Sequence, residues 1–265
     1  MNICLRAACW IAFCLSNVTL TATASAAANT AAGNAEVDPV ALLARADEYR
    51  SFRGKTFSFD LELESHESNS PGRSFRLNAR ILDPHTSLVV YTGPASEQGK
   101  ALLMDGSNLW FSTPNNSKPI RITPQQRLLG EASNGDVAST DFSGDYNATG
   151  AAPDSVDGAA TVRLELEPKP GGLAAYGSVK LWVRAADSAP VKADFFGPSG
   201  KLLKTAFYRR FVTLPEDLGA KRQLTELEIV NALDPGKRTL MRYSAFKLGE
   251  LPASMFTTTY LSRLR

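Results

Sequence analysis

The chain has 265 residues, 43% of them apolar and 21% charged, with a formal net charge of +2. That balance excludes a nucleic-acid binder, which carries a basic surplus or stripe, and the even spread of aliphatic and aromatic residues excludes low-complexity disorder. With only two histidines (His66 and His85) and three cysteines, the chain is also poor in the side chains that usually carry catalysis.

Met1–Ala26 reads as a cleavable secretory signal peptide. Arg6 precedes an apolar stretch from Ala7 to Leu15, and Ala24-Ser25-Ala26 supplies an A-x-A cleavage site. The apolar run is far short of the roughly 20 residues of a helical membrane span. Cys4, Cys9 and Cys14 all fall inside this segment, so the expected mature chain has no disulfide, thiolate metal site or cysteine nucleophile. Arg6 stands three positions before Cys9, and Phe13 directly before Cys14; neither fits a lipoprotein signal. Residues 27–37 read as a flexible Ala/Asn/Gly tail, and residues 38–265 as a single domain.

Asp38-Pro39 opens a helix, with Asp as N-cap and Pro at the first helical position. Leu42, Ala46, Tyr49 and Phe52 recur at helical spacing, Arg45, Asp47, Glu48 and Arg50 fall on the wet side, and Gly54 is the expected stop. The period then changes to two. In Thr56–Glu64, Phe57, Phe59, Leu61 and Leu63 alternate with polar residues, and Phe75, Leu77, Ala79 and Ile81 do the same in Ser74–Asp83. Further strands are predicted at Ser87–Thr92, Lys100–Asp105, Asn108–Ser112 and Pro119–Thr123, with a hairpin turn at Asp105-Gly106-Ser107. Pro124–Asp157 reads as a long irregular segment holding one short helix at Pro124–Leu129. Strands resume at Thr161–Glu167, Ser178–Arg184, Val191–Phe196, Lys201–Phe211, Arg222–Asn231 and Arg238–Lys247. Leu251–Phe256 reads as one helical turn, followed by a short extended piece.

The expected fold is therefore mostly β with few helices: about eleven antiparallel strands, mostly in meander order, curled into a half-barrel around the N-terminal helix. A sheet with one dry face must cover that face. The inward set Phe57, Phe59, Leu61, Phe75, Leu77, Trp110, Trp182 and Phe195 either lines a hollow or packs together as a solid core; alternation alone leaves both open.

Several stretches, taken in order, carry a resemblance. Asp105-Gly106-Ser107-Asn108-Leu109-Trp110-Phe111-Ser112-Thr113-Pro114 with Pro119-Ile120-Arg121-Ile122 looks like the Gly–x–x–Trp–aromatic–x–x–Pro hairpin of the outer membrane lipoprotein-sorting proteins. Thr140-Asp141-Phe142-Ser143 and Asp145-Tyr146 resemble the segment after that hairpin in the family. Tyr176–Val183, Phe196–Lys204 and Leu251–Thr257 with Tyr260-Leu261 resemble the family's later strands and closing helical turn. The resemblance implies the LolA/LolB-like fold, an incomplete antiparallel barrel lidded by helices, whose apolar hollow accepts acyl chains. It further implies a periplasmic carrier that moves an acylated lipoprotein or lipid towards the outer membrane. Its implied partner is an inner-membrane transporter of the resistance-nodulation-division type, and its membrane contact is transient. Glu131–Ala138 and Thr149–Asp157 depart from the family in their small polar residues, and no individual ligand-contacting residue carries over.

Other chemistries leave little trace. His66 and His85 lack metal-ligand spacing, and no G-x-S-x-G elbow occurs. Asp60, Glu62 and Glu64 share one strand face, where a hydrolase pair competes with ordinary solvated acids. Asn134, Asp136, Asp141 and Asp145 do not match the EF-hand spacing. Lys201, Lys204, Arg209 and Arg210, with Lys221 and Arg222, form either a solvated face or a docking patch for anionic headgroups or an acidic partner. An integral outer-membrane barrel is disfavoured by the many charges in Arg222–Asn231 and Arg238–Lys247. Neither an enzyme nor a cofactor is expected. The alternatives to a carrier are a sensor or scaffold of the same fold that binds a protein partner, and a hydrolase on the acidic strand face.

Overall fold

Asp38 accepts a hydrogen bond from the Val40 amide at 2.9 Å, and Pro39 follows it, so α1 (Pro39–Asp47) begins where the residue types predict. The computed structural model describes residues 38–264 except 68–69, 116–117, 140–141 and 172–173. The expected signal peptide, the tail at 27–37 and Thr140-Asp141 lie outside the described residues. α1 buries Leu42, Leu43 and Ala46 and ends well before Gly54, which instead turns the Phe52–Lys55 loop at φ +67°. Asp47, expected on the wet side, has 0% exposure. Its two carboxylate oxygens accept the amides of Phe142 and Ser143, each at 2.8 Å, and so satisfy a loop that has no secondary-structure partner of its own.

The strands follow as β1 (Phe57–Glu67), β2 (Ser70–Asp83), β3 (Thr86–Gly93), β4 (Ala101–Asp105), β5 (Asn108–Ser112) and β6 (Ile120–Ile122). The stretch expected to be irregular is in fact structured. It contains a hairpin of β7 (Arg127–Leu129) and β8 (Ala132–Ser133), the short helix α2 (Asn134–Ala138) and the long strand β9 (Tyr146–Val156). The helix predicted at Pro124–Leu129 is thus replaced by a turn and β7. β10 (Ala159–Pro168), β11 (Ser178–Arg184), β12 (Pro190–Phe196), β13 (Leu202–Thr213), β14 (Arg222–Asn231) and β15 (Arg238–Leu248) complete the sheet. The chain's final piece, expected to be extended, is instead α3 (Thr258–Leu261), capped by the Thr257 hydroxyl, which accepts from the Tyr260 amide.

Thirteen strands form one antiparallel sheet in the order β6-β5-β4-β3-β2-β1-β15-β14-β13-β12-β11-β10-β9. The half-barrel class expected from the sequence holds, and the long segment after Pro124 adds one strand to it, β9, while β7 and β8 pair only with each other. First and last strands pair at the centre, Leu61 opposite Tyr243 and Leu63 opposite Met241, while β6 and β9 form the two edges of a sheet that curls without closing. Bulges bend it; the one in β15 places Ala245 at φ +52° across from Phe59 and returns Phe246 and Leu248 to the inner face.

Both faces are dry in part. The concave face buries the main core: Phe57, Phe59, Leu61 and Leu63 of β1, Leu77, Ala79 and Ile81 of β2, and their counterparts across to Leu164 and Leu166 of β10. On the convex face a smaller cluster of Leu88, Ala101 and Leu103 is covered by Phe256 and Leu261 of the C-terminal segment.

Between β6 and β9 the chain crosses the concave face from one edge of the sheet to the other. β7 packs over β1 and β2, and α2 over β3 and β4. Gly130, at φ +54° in the β7–β8 turn, sits where a Cβ would come within 2.8 Å of the Ser65 Cβ and press on the Thr239 hydroxyl. That close approach and the positive φ both require glycine. Gly130→Ala is therefore expected to cost more than about 1 kcal/mol of stability. Chemical denaturation compared with wild type checks this, and an unchanged midpoint would mean the hairpin does not press on the sheet.

Candidate functional site

The concave wall is aromatic along much of its length. Phe57 and Phe59 stack with centroids 6.0 Å apart; Phe59 also meets Tyr243 at 5.7 Å and Phe246 at 5.8 Å. Phe75 meets Tyr91 at 5.6 Å on one side of the hollow, and Tyr176 meets Phe195 at 4.5 Å on the other. Such a wall would hold a chain of methylenes through apolar contact alone.

Much of that space is occupied by the chain itself. Two of the cavities beside α2 are small. One of about 40 Å³ lies between Tyr146, Tyr176, Phe195 and Tyr208, and one of about 20 Å³ lies between Phe59, Tyr243 and Phe246. Arg50, Asp136 and Ser139 border both. Each is far below the ~300–1,000 Å³ of a small-molecule site.

α2 is fastened by charge rather than by bulk. Lys204 projects inward from β13 beside Ala206 and Tyr208, only 5% exposed. Its ammonium donates to Asp136 Oδ2 at 2.5 Å and to the Glu131 carbonyl at 2.9 Å. The Tyr176 hydroxyl donates to Asp136 Oδ1 at 2.7 Å and lies 3.0 Å from the Ser133 hydroxyl. The Ser133 amide donates to Asp136 Oδ2 at 2.7 Å, closing a capping box at the start of α2. Lys204 also lies 5.0 Å from the Tyr176 ring centre and 5.7 Å from that of Phe195. Burial pushes the Asp136 carboxyl up, but the Lys204 ammonium and the two other donors, the Ser133 amide and the Tyr176 hydroxyl, outweigh it and hold it below the ordinary carboxylate value. Burial next to the Asp136 charge drives the Tyr176 hydroxyl well above the usual tyrosine value, and burial lifts Tyr208 to about 12.

Six of the eight expected lining residues share the concave face: Phe57, Phe59, Leu61, Phe75, Leu77 and Phe195. The two tryptophans do not. On β5, Leu109 and Phe111 turn inward, so Trp110 points to the convex face and packs with the C-terminal cluster. On β11, Val179, Leu181 and Val183 take the inner face, and Trp182 points outward. There its Nε1 donates to Asp154 at 2.9 Å and Lys192 sits 4.3 Å over its ring.

The expected docking patch is not one surface. Lys204 is internal, held by Asp136. Arg209 pairs with Glu228 on the outer face at 2.6 Å, Arg210 lies at a bulge opposite Glu226, and Lys201 is exposed in the turn before β13. Lys221 donates to the Glu48 and Ser51 carbonyls, and Arg222 pairs with Asp187 at 2.9 Å. The acidic outer stripe is likewise occupied: Arg242 lies 3.0 Å from Glu64 and 3.8 Å from each of Glu62 and Glu226, and Asp60 accepts from Asn78.

Nothing in the sequence singles out Asp136, Tyr176 and Asp47 for the roles they fill. A signal exists for Lys204: it falls in alternation with Ala206 and Tyr208. But Leu203 and Phe207 alternate on the opposite parity and make either face plausible.

With this geometry in place, comparison with known proteins is informative. A LolA superfamily protein from Nitrosomonas europaea superposes with a TM-score of 0.77 at 33% identity, over 84% of this chain and 99% of that one. The chain belongs to the LolA superfamily. A family model described as "Uncharacterized protein" matches residues 83–263, and a comparison with curated proteins finds no match. A DUF1329 family protein from Desulfovibrio piger shares the fold, with a TM-score of 0.67 at 21% identity over 84% of this chain and 99% of that one. So does a domain named for outer membrane lipoprotein sorting from Vibrio parahaemolyticus, with a TM-score of 0.65 at 18% identity over 83% and 97%. Within this LolA superfamily chain, the filled concave face and its ionic fastening are the features that any functional account must accommodate.

Removing one partner of a buried pair leaves the other charge uncompensated, so Asp136→Ala is expected to lose about 3–5 kcal/mol of stability. The double variant Asp136→Leu/Lys204→Met is expected to recover part of it, because an apolar pair needs no partner while the Ser133 amide loses its acceptor; denaturation curves of the three proteins test this. Asp136 also makes stability depend on pH. Its folded-state affinity for protons is lowered, so the unfolded chain takes up the proton at higher pH than the native one does. The stabilisation is complete above the unfolded value of about 4 and drains away as pH falls through the lower folded value. The wild type should lose more stability between about pH 5 and pH 3 than the double variant.

Proposed function

We propose that the protein is a periplasmic carrier that takes the acyl chains of a lipoprotein or lipid against its concave face and shuttles them towards the outer membrane. The observation that carries this reading is an aromatic and aliphatic wall covered by α1 and by a short crossing segment of the same chain, the β7–β8 hairpin and α2, rather than by a second large sheet. Membership of the LolA superfamily supports it, as does the expected export signal at the N-terminus. In this reading an inner-membrane transporter of the resistance-nodulation-division type is the donor, contact with a membrane is transient, and no covalent chemistry or cofactor is needed.

The energetics suit the task. Each methylene withdrawn from water contributes about 0.8 kcal/mol, so a long chain gains on the order of 10 kcal/mol. A carrier must offset part of that to release its cargo. Displacing α2 from the wall and breaking its ionic fastening supply such an offset, because apparent affinity falls by the fraction of molecules that are open.

The small size of the two cavities beside Asp136, about 40 and 20 Å³, favours a second reading. A scaffold or sensor would keep the concave face permanently filled and present its outer surface to a protein partner. The two readings part on one measurement, native mass spectrometry of the protein purified gently from its own compartment. A stoichiometric lipid or acylated peptide is expected; a clean protein mass that persists after incubation with membrane extract would favour the scaffold. Phe75→Glu adds a charge to a half-buried position on the wall and is expected to weaken acyl binding about tenfold or more while circular dichroism stays native.

A further inference from the structure

Where α1 gives way to β1, the loop from Ser51 to Lys55 borders two open clefts. The first, of about 300 Å³, has a floor of Phe52, Phe57, Ile81, Leu82 and Pro84. Phe57 and Ile81 also belong to the concave wall, so this cleft abuts the hollow from outside. Arg53 and Lys55, both exposed, stand on its rim and also on that of the second cleft, of about 450 Å³.

The charge here is lopsided. Around the second cleft Arg45, Arg53, Lys55, Lys221 and Arg222 face only Glu48 and Asp187. Asp187 is held by Arg184 at 3.2 Å and by Arg222 at 2.9 Å. Beside the apolar cleft, Asp83 accepts the His85 amide at 2.8 Å. Arg53 lies 4.0 Å from Asp47, whose oxygens also accept two backbone amides, and donates to the Ser143 hydroxyl at 3.3 Å, so among the described residues Lys55 is the cation of the rim left without an acidic partner. Among the described residues no acidic side chain forms an ion pair with Lys55. Lys221, anchored on the Glu48 and Ser51 carbonyls and 4.2 Å over the Phe52 ring, fixes the loop in place.

An apolar floor with an under-neutralised cationic rim fits one kind of ligand. We propose that this cleft binds an amphiphile with an anionic head, a carboxylate or phosphate, its head on Arg53 and Lys55 and its first chain carbons on Phe52, Phe57, Ile81 and Leu82. The proposal rests on the carrier reading and adds to it: the cargo is chosen by the charge of its head, and it can dock here before α2 moves. An uncharged head gains from the two cations only hydrogen bonds to a neutral oxygen, whereas an anionic one also gains the attraction of opposite charges.

The test compares laurate with dodecanol, equal in chain length and different in charge, by calorimetry on the wild type, Lys55→Glu and Arg53→Glu/Lys55→Glu. Laurate is expected to bind the wild type about tenfold tighter than dodecanol, with the ratio falling towards one in both variants and at high salt. Lys55 is exposed and free of structural ion pairs, so its single variant reads the effect without disturbing the fold. Equal binding of the two probes to the wild type, or a ratio that survives in Lys55→Glu and in the double variant, overturns the head-group proposal and leaves the carrier standing. Failure of both probes to bind overturns the two together. Inorganic phosphate at the same concentration should not displace laurate; if it does, the cleft is a bare anion site and the amphiphile is excluded.

Discussion

A lysine ammonium placed inside an aromatic hollow must be neutralised where it stands, and here a single carboxylate does most of that. Asp136 answers Lys204 because α2 lies across the concave face, and the β7–β8 hairpin just before α2 presses Gly130 against Ser65 and Thr239. The wall could have been covered by apolar side chains alone, at less risk: a well-packed hydrophobic patch is often as stable as a buried pair and tolerates error better. What an ionic fastening adds is directionality. It is strong when every donor and acceptor is in place and costly when one is missing, so the covered and uncovered arrangements are separated by a discrete step rather than a gradual loosening.

That division of labour also explains why the fold is more legible in the sequence than the site. Strands such as β1 and β2 announce themselves by alternation, Phe57, Phe59, Leu61 and Leu63 in one and Phe75, Leu77, Ala79 and Ile81 in the other, because one face is dry. β9 gives no such signal. Gly150-Ala151-Ala152-Pro153-Asp154-Ser155 is composed like a loop, and it becomes a strand only by pairing with β10 and by offering Ala148 and Ala151 as a low surface on which α1 can rest. Tertiary context overrides local propensity there.

The departures at the site have a common cause. Alternation fixes which residues share a face but not which face is concave. Trp110 and Trp182 are large and apolar enough to be placed inside, yet their neighbours Leu109, Phe111, Leu181 and Val183 claim the interior and leave the indoles outside. Lys204 and Asp47 depart in the opposite direction: a charged residue is expected to be wet, and the burial of these two depends on partners many residues away, Asp136 and the amides of Phe142 and Ser143. A lone charge in a sequence does not reveal its partner.

The crossing segment joins the two edges of the open sheet, since β6 precedes it and β9 follows it. However far it swings from the wall, both its ends stay covalently anchored on opposite rims. The cover is therefore a tethered strap rather than a dissociable plug, and its return is an intramolecular event with a high effective concentration. A ligand on the concave face would compete with a neighbour that never leaves, so how fully the hollow empties is a property of this one chain and does not change when the protein is diluted.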